Sequence, residues 1–344
     1  MMPPERCVRC SACVLDCPIY EVTLWEHLSP KGRLLLKGEN LGDVFYTCLT
    51  CARCEISCPS GLEIVDDIER ERGRLRTEGI IPPKLHEVTQ KVLKTGNPYG
   101  CESVTFKANK SEYLYYPGCS TIYRAGEVFE SVLSVLDYIE VDYSVEYSYC
   151  CGSTLLRTGE SGEAAKRNFE SLKSAIDRTN AKYIITSCPG CYRTLKKDYE
   201  KLFGGLGVEI IHVVELLDEK FPGNSKVNLK VTYHDSCHLG RHMGVYDAPR
   251  NVLSRISTLV EMRNNRESSL CCGGGGGVRA AYPELYQLVR ERRVDEAVES
   301  GADVIVTSCP FCYMNLKKSG RMEVLDITML IEKVLRGDYG GDYG

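Results

Sequence analysis

Cys119, Cys150, Cys151, Cys188 and Cys191 recur as Cys237, Cys271, Cys272, Cys309 and Cys312. Each set is a lone cysteine, an adjacent pair and a Cys-x-x-Cys. The groups are separated by 30 and 36 residues in the first set and by 33 and 36 in the second. The flanks repeat as well, Ala181-Lys-Tyr-Ile-Ile-Thr-Ser-Cys-Pro-Gly-Cys-Tyr answering to Ala302-Asp-Val-Ile-Val-Thr-Ser-Cys-Pro-Phe-Cys-Tyr. Thiolates are soft, anionic ligands suited to iron–sulfur clusters, zinc and Cu(I). Five per set exceed the four of an ordinary cubane or structural zinc, so each set predicts an atypical cluster or a free thiolate beside an ordinary one.

Eight more cysteines lie before residue 63 in two identical runs, Cys7-x-x-Cys10-x-x-Cys13-x-x-x-Cys17-Pro18 and Cys48-x-x-Cys51-x-x-Cys54-x-x-x-Cys58-Pro59. This is the bacterial ferredoxin spacing for two [4Fe–4S] clusters, in which the fourth cysteine of each run serves the other cluster. Cys7, Cys10, Cys13 and Cys58 are therefore assigned to one cubane, and Cys48, Cys51, Cys54 and Cys17 to the second. A pair of four-thiolate zinc sites is the competing reading, and the trailing prolines disfavour it. Cys101 stands outside every motif and reads as a buried apolar thiol.

The elements that must position these cysteines follow from pattern. Between the two ferredoxin runs, Leu24, Trp25, Leu28 and Leu34 to Leu36 surround the turn Ser29-Pro30-Lys31-Gly32, which predicts short helices in residues 1–63. Residues 64–112 form a charged connector, helical in its first half and broken by Pro82-Pro83 and Asn97-Pro98-Tyr99-Gly100. A first α/β domain spans 113–225. The strand Tyr113 to Tyr116 delivers Cys119, and apolar residues from Ile122 to Leu136 mark a helix. Ala165, Phe169, Leu172 and Ile176 mark another, and the strand Tyr183 to Thr186 leads through Cys188-Pro-Gly-Cys191 into a helix over 192–202. The second domain, 226–336, repeats the plan with a strand at Val231 to Tyr233, helices near 249–258 and 281–299, and a strand at Val304 to Thr307. The fold class is thus α+β / α/β: an all-helical two-cluster module followed by two pseudo-symmetric α/β domains. Residues 337–344 read as a disordered tail.

Placing Cys-Pro-x-Cys at a strand-to-helix turn sets sulfurs against helix N-terminal N–H groups, which favour negative charge. Cys150-Cys151 and Cys271-Cys272 both run into glycine, and the second continues from Gly273 to Gly277, so the two sites are expected to differ in access. No Lys-Ser or Lys-Thr follows, which argues against a phosphate loop.

With 344 residues the chain has no need of disulfide staples, so its 19 cysteines call for another explanation. No secretory leader or membrane-length apolar run is recognisable, so the expected location is the cytoplasm, with any membrane reached through a partner. The net charge of −4, with basic and acidic residues interspersed, argues against a nucleic-acid surface.

The five-cysteine pattern with Cys-Cys-Gly at its centre resembles the duplicated CCG domain of the heterodisulfide reductase family. With the double ferredoxin in front, the chain resembles its D-type subunit over residues 1–335. The resemblance implies a noncubane [4Fe–4S] cluster at each CCG motif and a disulfide, of the CoM-S-S-CoB type, cleaved between them. It also implies methanogenic, anaerobic metabolism and an electron-donating partner, a membrane cytochrome b or a flavoprotein. Within Tyr233-His234-Asp235-Ser236-Cys237-His238-Leu239-Gly240-Arg241-His242, His238 is the candidate catalytic proton donor, because imidazole titrates near neutral pH. Hydrogen bonding to orient the site is the alternative for all three histidines. Arg241, Arg279, Lys196-Lys197 and Lys317-Lys318 are candidates to meet an anionic substrate, although a solvated helix face also accounts for the lysines. The same superfamily contains iron–sulfur subunits of quinone-linked glycolate, lactate and glycerol-3-phosphate dehydrogenases, which share Ser29 to Arg33 and His234 to Arg241. A third reading makes the chain a passive electron carrier with zinc at the first CCG motif.

Overall fold

A computed structural model describes residues 6–223 and 226–339; the last five residues of the expected tail lie outside the described residues. The first module contains only short helices, among them Ala12–Leu15, Pro18–Thr23, Pro30–Leu35 and Arg53–Ile56. Proline opens two of these, where its missing N–H costs nothing. Ser29 caps the third, its Oγ accepting the Gly32 N–H at 3.1 Å. A Cβ on Gly32 would collide with the Glu26 carbonyl oxygen, so glycine is required there.

The connector is a pair of helices, Ile64–Thr77 and Pro83–Thr95. Pro82-Pro83 therefore starts a second helix as well as ending the first stretch, because Pro83 occupies the first helical turn. This connector does more than pack on the ferredoxin module. Arg72 is fully buried and donates to the carbonyls of Phe45 and Cys48 in that module, of Arg157 in the first α/β domain and of Gly276 in the second.

Each α/β domain is a four-stranded parallel sheet. In the first, β1 (Tyr113–Tyr115), β2 (Tyr143–Val145), β3 (Tyr183–Thr186) and β4 (Glu209–His212) lie in the order β2-β1-β3-β4. In the second, β5 (Lys230–His234), β6 (Thr258–Leu259), β7 (Val304–Thr307) and β8 (Glu323–Asp326) lie in the order β6-β5-β7-β8. The shared order shows that the sequence repeat is a repeat of topology. The segment from Ile122 to Leu136 is not one helix: Ala125 leaves helical geometry and divides Cys119–Arg124 from Gly126–Tyr138. The helix expected over 192–202 begins at Pro189 and passes through a π-helical stretch, Thr194–Asp198.

The domains pack through equivalent helices. Gly126–Tyr138 of the first meets Ile327–Leu335 of the second, and Val213–Lys220 of the first meets Asp247–Ile256 of the second. Exchanging the domains exchanges these two contacts, as a pseudo-twofold axis requires. Within the first contact the buried hydroxyls of Ser131 and Thr328 lie 2.8 Å apart.

Candidate metal centres and their junction

In an open parallel sheet, ligands bind beyond the carboxyl ends of the two central strands whose connections leave in opposite directions. Here those strands are β1 and β3 in one domain and β5 and β7 in the other. Cys119 follows β1 and Cys188 follows β3; Cys237 follows β5 and Cys309 follows β7. The cysteine motifs thus occupy the place where this topology leaves a crevice.

At the first site Cys119 Sγ lies 3.6 Å from Cys150 Sγ, and every cysteine except the half-buried Cys188 is buried. Gly118, with φ of 79°, would place a Cβ 2.7 Å from Cys191 Sγ, so its backbone conformation and the sulfur both require glycine. At the second site Cys272 and Cys312 Sγ are 3.5 Å apart, and the Cys312 N–H donates to Cys309 Sγ at the start of the helix Pro310–Lys317. Crowding splits the thiol acidities. Contact with Cys119 and Cys151 holds Cys150 well below the usual thiol range, while contact with Cys150 pushes Cys119 and Cys151 well above it. In the second domain contact with Cys271 holds Cys237 and Cys272 low, and Cys271 itself is pushed up. Such a set is fully ionised only when a metal centre supplies positive charge, so the donors fit a thiolate-bound cluster.

The ferredoxin cysteines form two groups. Cys7, Cys10, Cys13 and Cys58 line one cavity, and Cys17, Cys48, Cys51 and Cys54 line the other. Arg9 and Ser11 in the first run and Thr50 and Ala52 in the second all have positive φ, at matching places in the two motifs. Non-glycine residues hold this conformation at a cost, and the resulting turns point amide N–H groups into an anion-binding concavity. The backbone is therefore shaped for an anionic cluster in both cavities.

The two modules meet at the second α/β site. Cys51 is buried beside Cys271 of the second site, whose proximity draws the Cys51 thiol below its usual range. Arg241 Nε donates to the Cys51 carbonyl at 2.6 Å, and His242 Nε2 lies 2.9 Å from the Thr50 carbonyl. A Cβ on Gly275 would run into the Leu49 carbonyl, and one on Gly276 into the Cys48 carbonyl. The longer glycine run thus seats the second ferredoxin loop, which is the physical form of the difference expected between the two sites.

His238 Nδ1 lies 3.4 Å from Cys237 Sγ, and its ring stands 4.5 Å from that of His242. His234 Nδ1 accepts from Arg293 Nε at 3.0 Å. The proton of the neutral ring is then on Nε2, which is buried without a hydrogen-bond partner among the described residues, although the ligand atoms of His234, Cys272 and Cys312 fall within 4.8 Å of one another. Burial lowers the His234 pKa and keeps the ring neutral.

Of the cationic candidates, Arg241 donates through Nε and Nη1 to the carbonyls of Cys51, Glu267 and Ser269, and its Nη2 has no partner among the described residues. Lys196 bonds Tyr192 and Ile210, Lys197 the His242 carbonyl, and Lys317 both Tyr313 and Glu127. Arg279 is half-buried over the Phe311 ring, with Nη1 on Asn315 Oδ1, and its charge lowers the pKa of the exposed Lys318. Cys101 is only half-buried, and its backbone is held by Asn97. A cleft of about 1140 Å3 opens where the connector meets both α/β domains, lined by Glu55, Glu69, Arg193, Lys197, Arg241 and His242. Sequence reasoning did not find the buried Arg33, Arg72 and Arg293; Arg72 and Arg293 stand among other charged residues, which hides them.

Two ferredoxin-type thiol groups joined to a duplicated five-thiol site define an iron–sulfur oxidoreductase. A cysteine-rich domain model matches residues 113–196 and 231–317, and a 4Fe-4S dicluster domain model matches residues 4–62. The chain is 34% identical to the D-type subunit of the dihydromethanophenazine:CoB–CoM heterodisulfide reductase of Methanosarcina mazei, over 97% of this chain and 93% of that protein. It belongs to the family of D-type heterodisulfide reductase subunits. It is also 30% identical to the B-type subunit of the fumarate reductase (CoM/CoB) of Methanothermobacter marburgensis, over 96% of this chain and 72% of that protein. To the EtfAB:quinone oxidoreductase of Syntrophomonas wolfei it is 27% identical, over 90% and 54% respectively. A crystal structure of a hypothetical protein from Helicobacter pylori shares the fold, with a TM-score of 0.61 at 9% identity over 90% of this chain and 68% of that one. Among the described residues no helix is long and apolar enough to cross a membrane.

Proposed function

We propose that this chain performs the disulfide cleavage of a heterodisulfide reductase. One observation carries the reading: the helix Cys119–Arg124, which opens on a cysteine of the first five-thiol site, packs against the helix Pro310–Lys317, which carries Cys312 of the second, so both sites abut the interface between the two domains. In the proposed assignment Cys7, Cys10, Cys13 and Cys58, and Cys48, Cys51, Cys54 and Cys17, hold two cubane [4Fe–4S] clusters. Cys119, Cys150, Cys151, Cys188 and Cys191, and Cys237, Cys271, Cys272, Cys309 and Cys312, hold two noncubane clusters. When bound, these groups supply electrons singly, two of which, with two protons, convert one disulfide into two thiols.

The chain's own residues divide the remaining work. Of the ten CCG cysteines eight are buried, and Cys188 and Cys237 are half-buried at the rims where a substrate sulfur arrives. His238, against Cys237, holds a proton for a departing thiolate. The loop Cys48–Cys54, seated on Gly275 and Gly276, makes the second CCG site the point of electron entry. An electron-donating partner, a membrane cytochrome b or a flavoprotein, serves the ferredoxin end of a cytoplasmic protein.

The test is an anaerobic assay in which reduced viologen is mixed with the CoM–CoB heterodisulfide. Heterodisulfide-dependent oxidation of the dye is expected. No turnover with any disulfide, together with reduction of a quinone analogue, would replace this reading with the quinone-linked one. Metal analysis checks the cluster assignment: anaerobically purified protein is expected to hold about four four-iron equivalents and no zinc. One zinc per chain would instead place a structural site at a CCG motif.

A further inference from the structure

Two buried arginines flank the second ferredoxin cavity, and neither has a carboxylate to neutralise it. Arg33, 1% exposed, lines the cavity formed by Cys17, Cys48, Cys51 and Cys54. Its Nε donates to the Val44 carbonyl at 2.7 Å and its Nη2 to Thr47 Oγ1 at 3.1 Å. Arg72, 0% exposed, donates to the Cys48 carbonyl at 2.6 Å and otherwise only to other backbone carbonyls. Among the described residues neither forms an ion pair; Glu69, the nearby acid, is engaged by Arg157 and Arg193 at 3.0 and 3.6 Å. Arg241 adds a third guanidinium, bonded to carbonyls alone, among them that of Cys51.

A guanidinium does not shed its proton, so these charges persist in the interior. Burying a charge without a counter-charge is costly, and carbonyl dipoles meet only part of that cost. An anionic thiolate-bound cluster in the cavity beside them is the missing counter-charge. The first cavity is built differently. Its basic residues are the exposed Arg9 and the half-buried Lys31, the latter paired with Glu26 at 2.9 Å, and its Cys10 is exposed. Solvent and the carboxylate screen those charges.

Reduction adds one negative charge to a cluster, and a fixed positive charge in a poorly screened interior favours the reduced form. We propose that Arg33 and Arg72 hold the second ferredoxin cluster at a higher reduction potential than the first, so that electrons descend from the exposed cavity toward the second CCG site. In that step one electron leaves the first cluster, which is oxidised, and enters the second, which is reduced; no bond is made or broken. The inference rests on the proposed occupancy of both cavities by cubane clusters but not on disulfide chemistry.

The experiment is a potentiometric titration of the full anaerobic chain followed by electron paramagnetic resonance. Cys10→Ser marks which signal belongs to the first cluster. In the wild type the second cluster is expected to be reduced first. Arg33→Met is expected to weaken reduction of the second cluster about tenfold, about 59 mV for one electron, with the first unchanged. Arg33→Lys should recover most of that shift, and Arg9→Met should move neither signal appreciably. The wild-type order needs no variant, so a first cluster that titrates at or above the second overturns the inference. An Arg33→Met protein with full iron and an unmoved second potential does so too. Wild-type protein without reducible iron would instead sink the cluster assignment itself, and this inference with it.

Discussion

Gly276→Ala is expected to uncouple the ferredoxin module from the second CCG site. The residue has φ of 57°, and its added Cβ would run into the Cys48 carbonyl and stand 3.2 Å from Arg72 Nη1. The left-handed conformation alone costs an alanine about 1–2 kcal/mol. Overpacking against backbone adds about 1–3 kcal/mol, because neither the cluster loop nor the buried Arg72 is free to retreat. A total of about 3 kcal/mol corresponds to roughly a hundredfold shift away from the seated arrangement. Viologen-linked heterodisulfide turnover should fall accordingly, with iron content retained, and the amides around Cys48 to Thr50 should lose protection from hydrogen exchange. Gly301→Ala is the control: its φ is 71° but nothing lies within 4 Å of the added Cβ, so it bears the strain without the clash. If Gly276→Ala turns over like the wild type, the glycine run is not the seat of the junction.

That prediction has its origin in a feature visible in the sequence whose partner was not. Glycine after Cys271-Cys272 announces a close approach, but nothing local says that the approaching group is the Cys48 carbonyl from the other end of the chain. The grouping of the ferredoxin cysteines into two cavities was legible because their spacing repeats as a motif. β1, β3, β5 and β7 were legible because central parallel strands are continuous apolar runs. The edge strands β2 and β6 were not, since Tyr143–Val145 and Thr258–Leu259 are two or three residues long and only partly buried. Arg33 and Arg72 look in sequence like members of an evenly mixed charged surface. Only the packing shows that they lie inside, and that Arg241 and Lys197, both candidates to greet a substrate, donate to backbone carbonyls.

His238→Ala is expected to slow heterodisulfide reduction by about 10²–10⁴-fold, the range for loss of a positioned general acid. Nδ1 faces Cys237 Sγ at 3.4 Å, so a ring that donates to this thiolate exchanges its second proton at Nε2. The His238 ring stands 4.5 Å from that of His242, which burial holds well below the usual imidazole range. His242 also lines the cleft between the connector and the two CCG domains. A role confined to orienting Cys237 predicts a different outcome: the variant would lose iron or shift the spectrum of the second CCG centre. Full iron with slowed turnover, and single-turnover formation of thiols that lags behind oxidation of the reduced protein, would mark proton delivery as the step His238 serves. Unchanged turnover would return the proton to solvent and leave His238 as packing beside its sulfur.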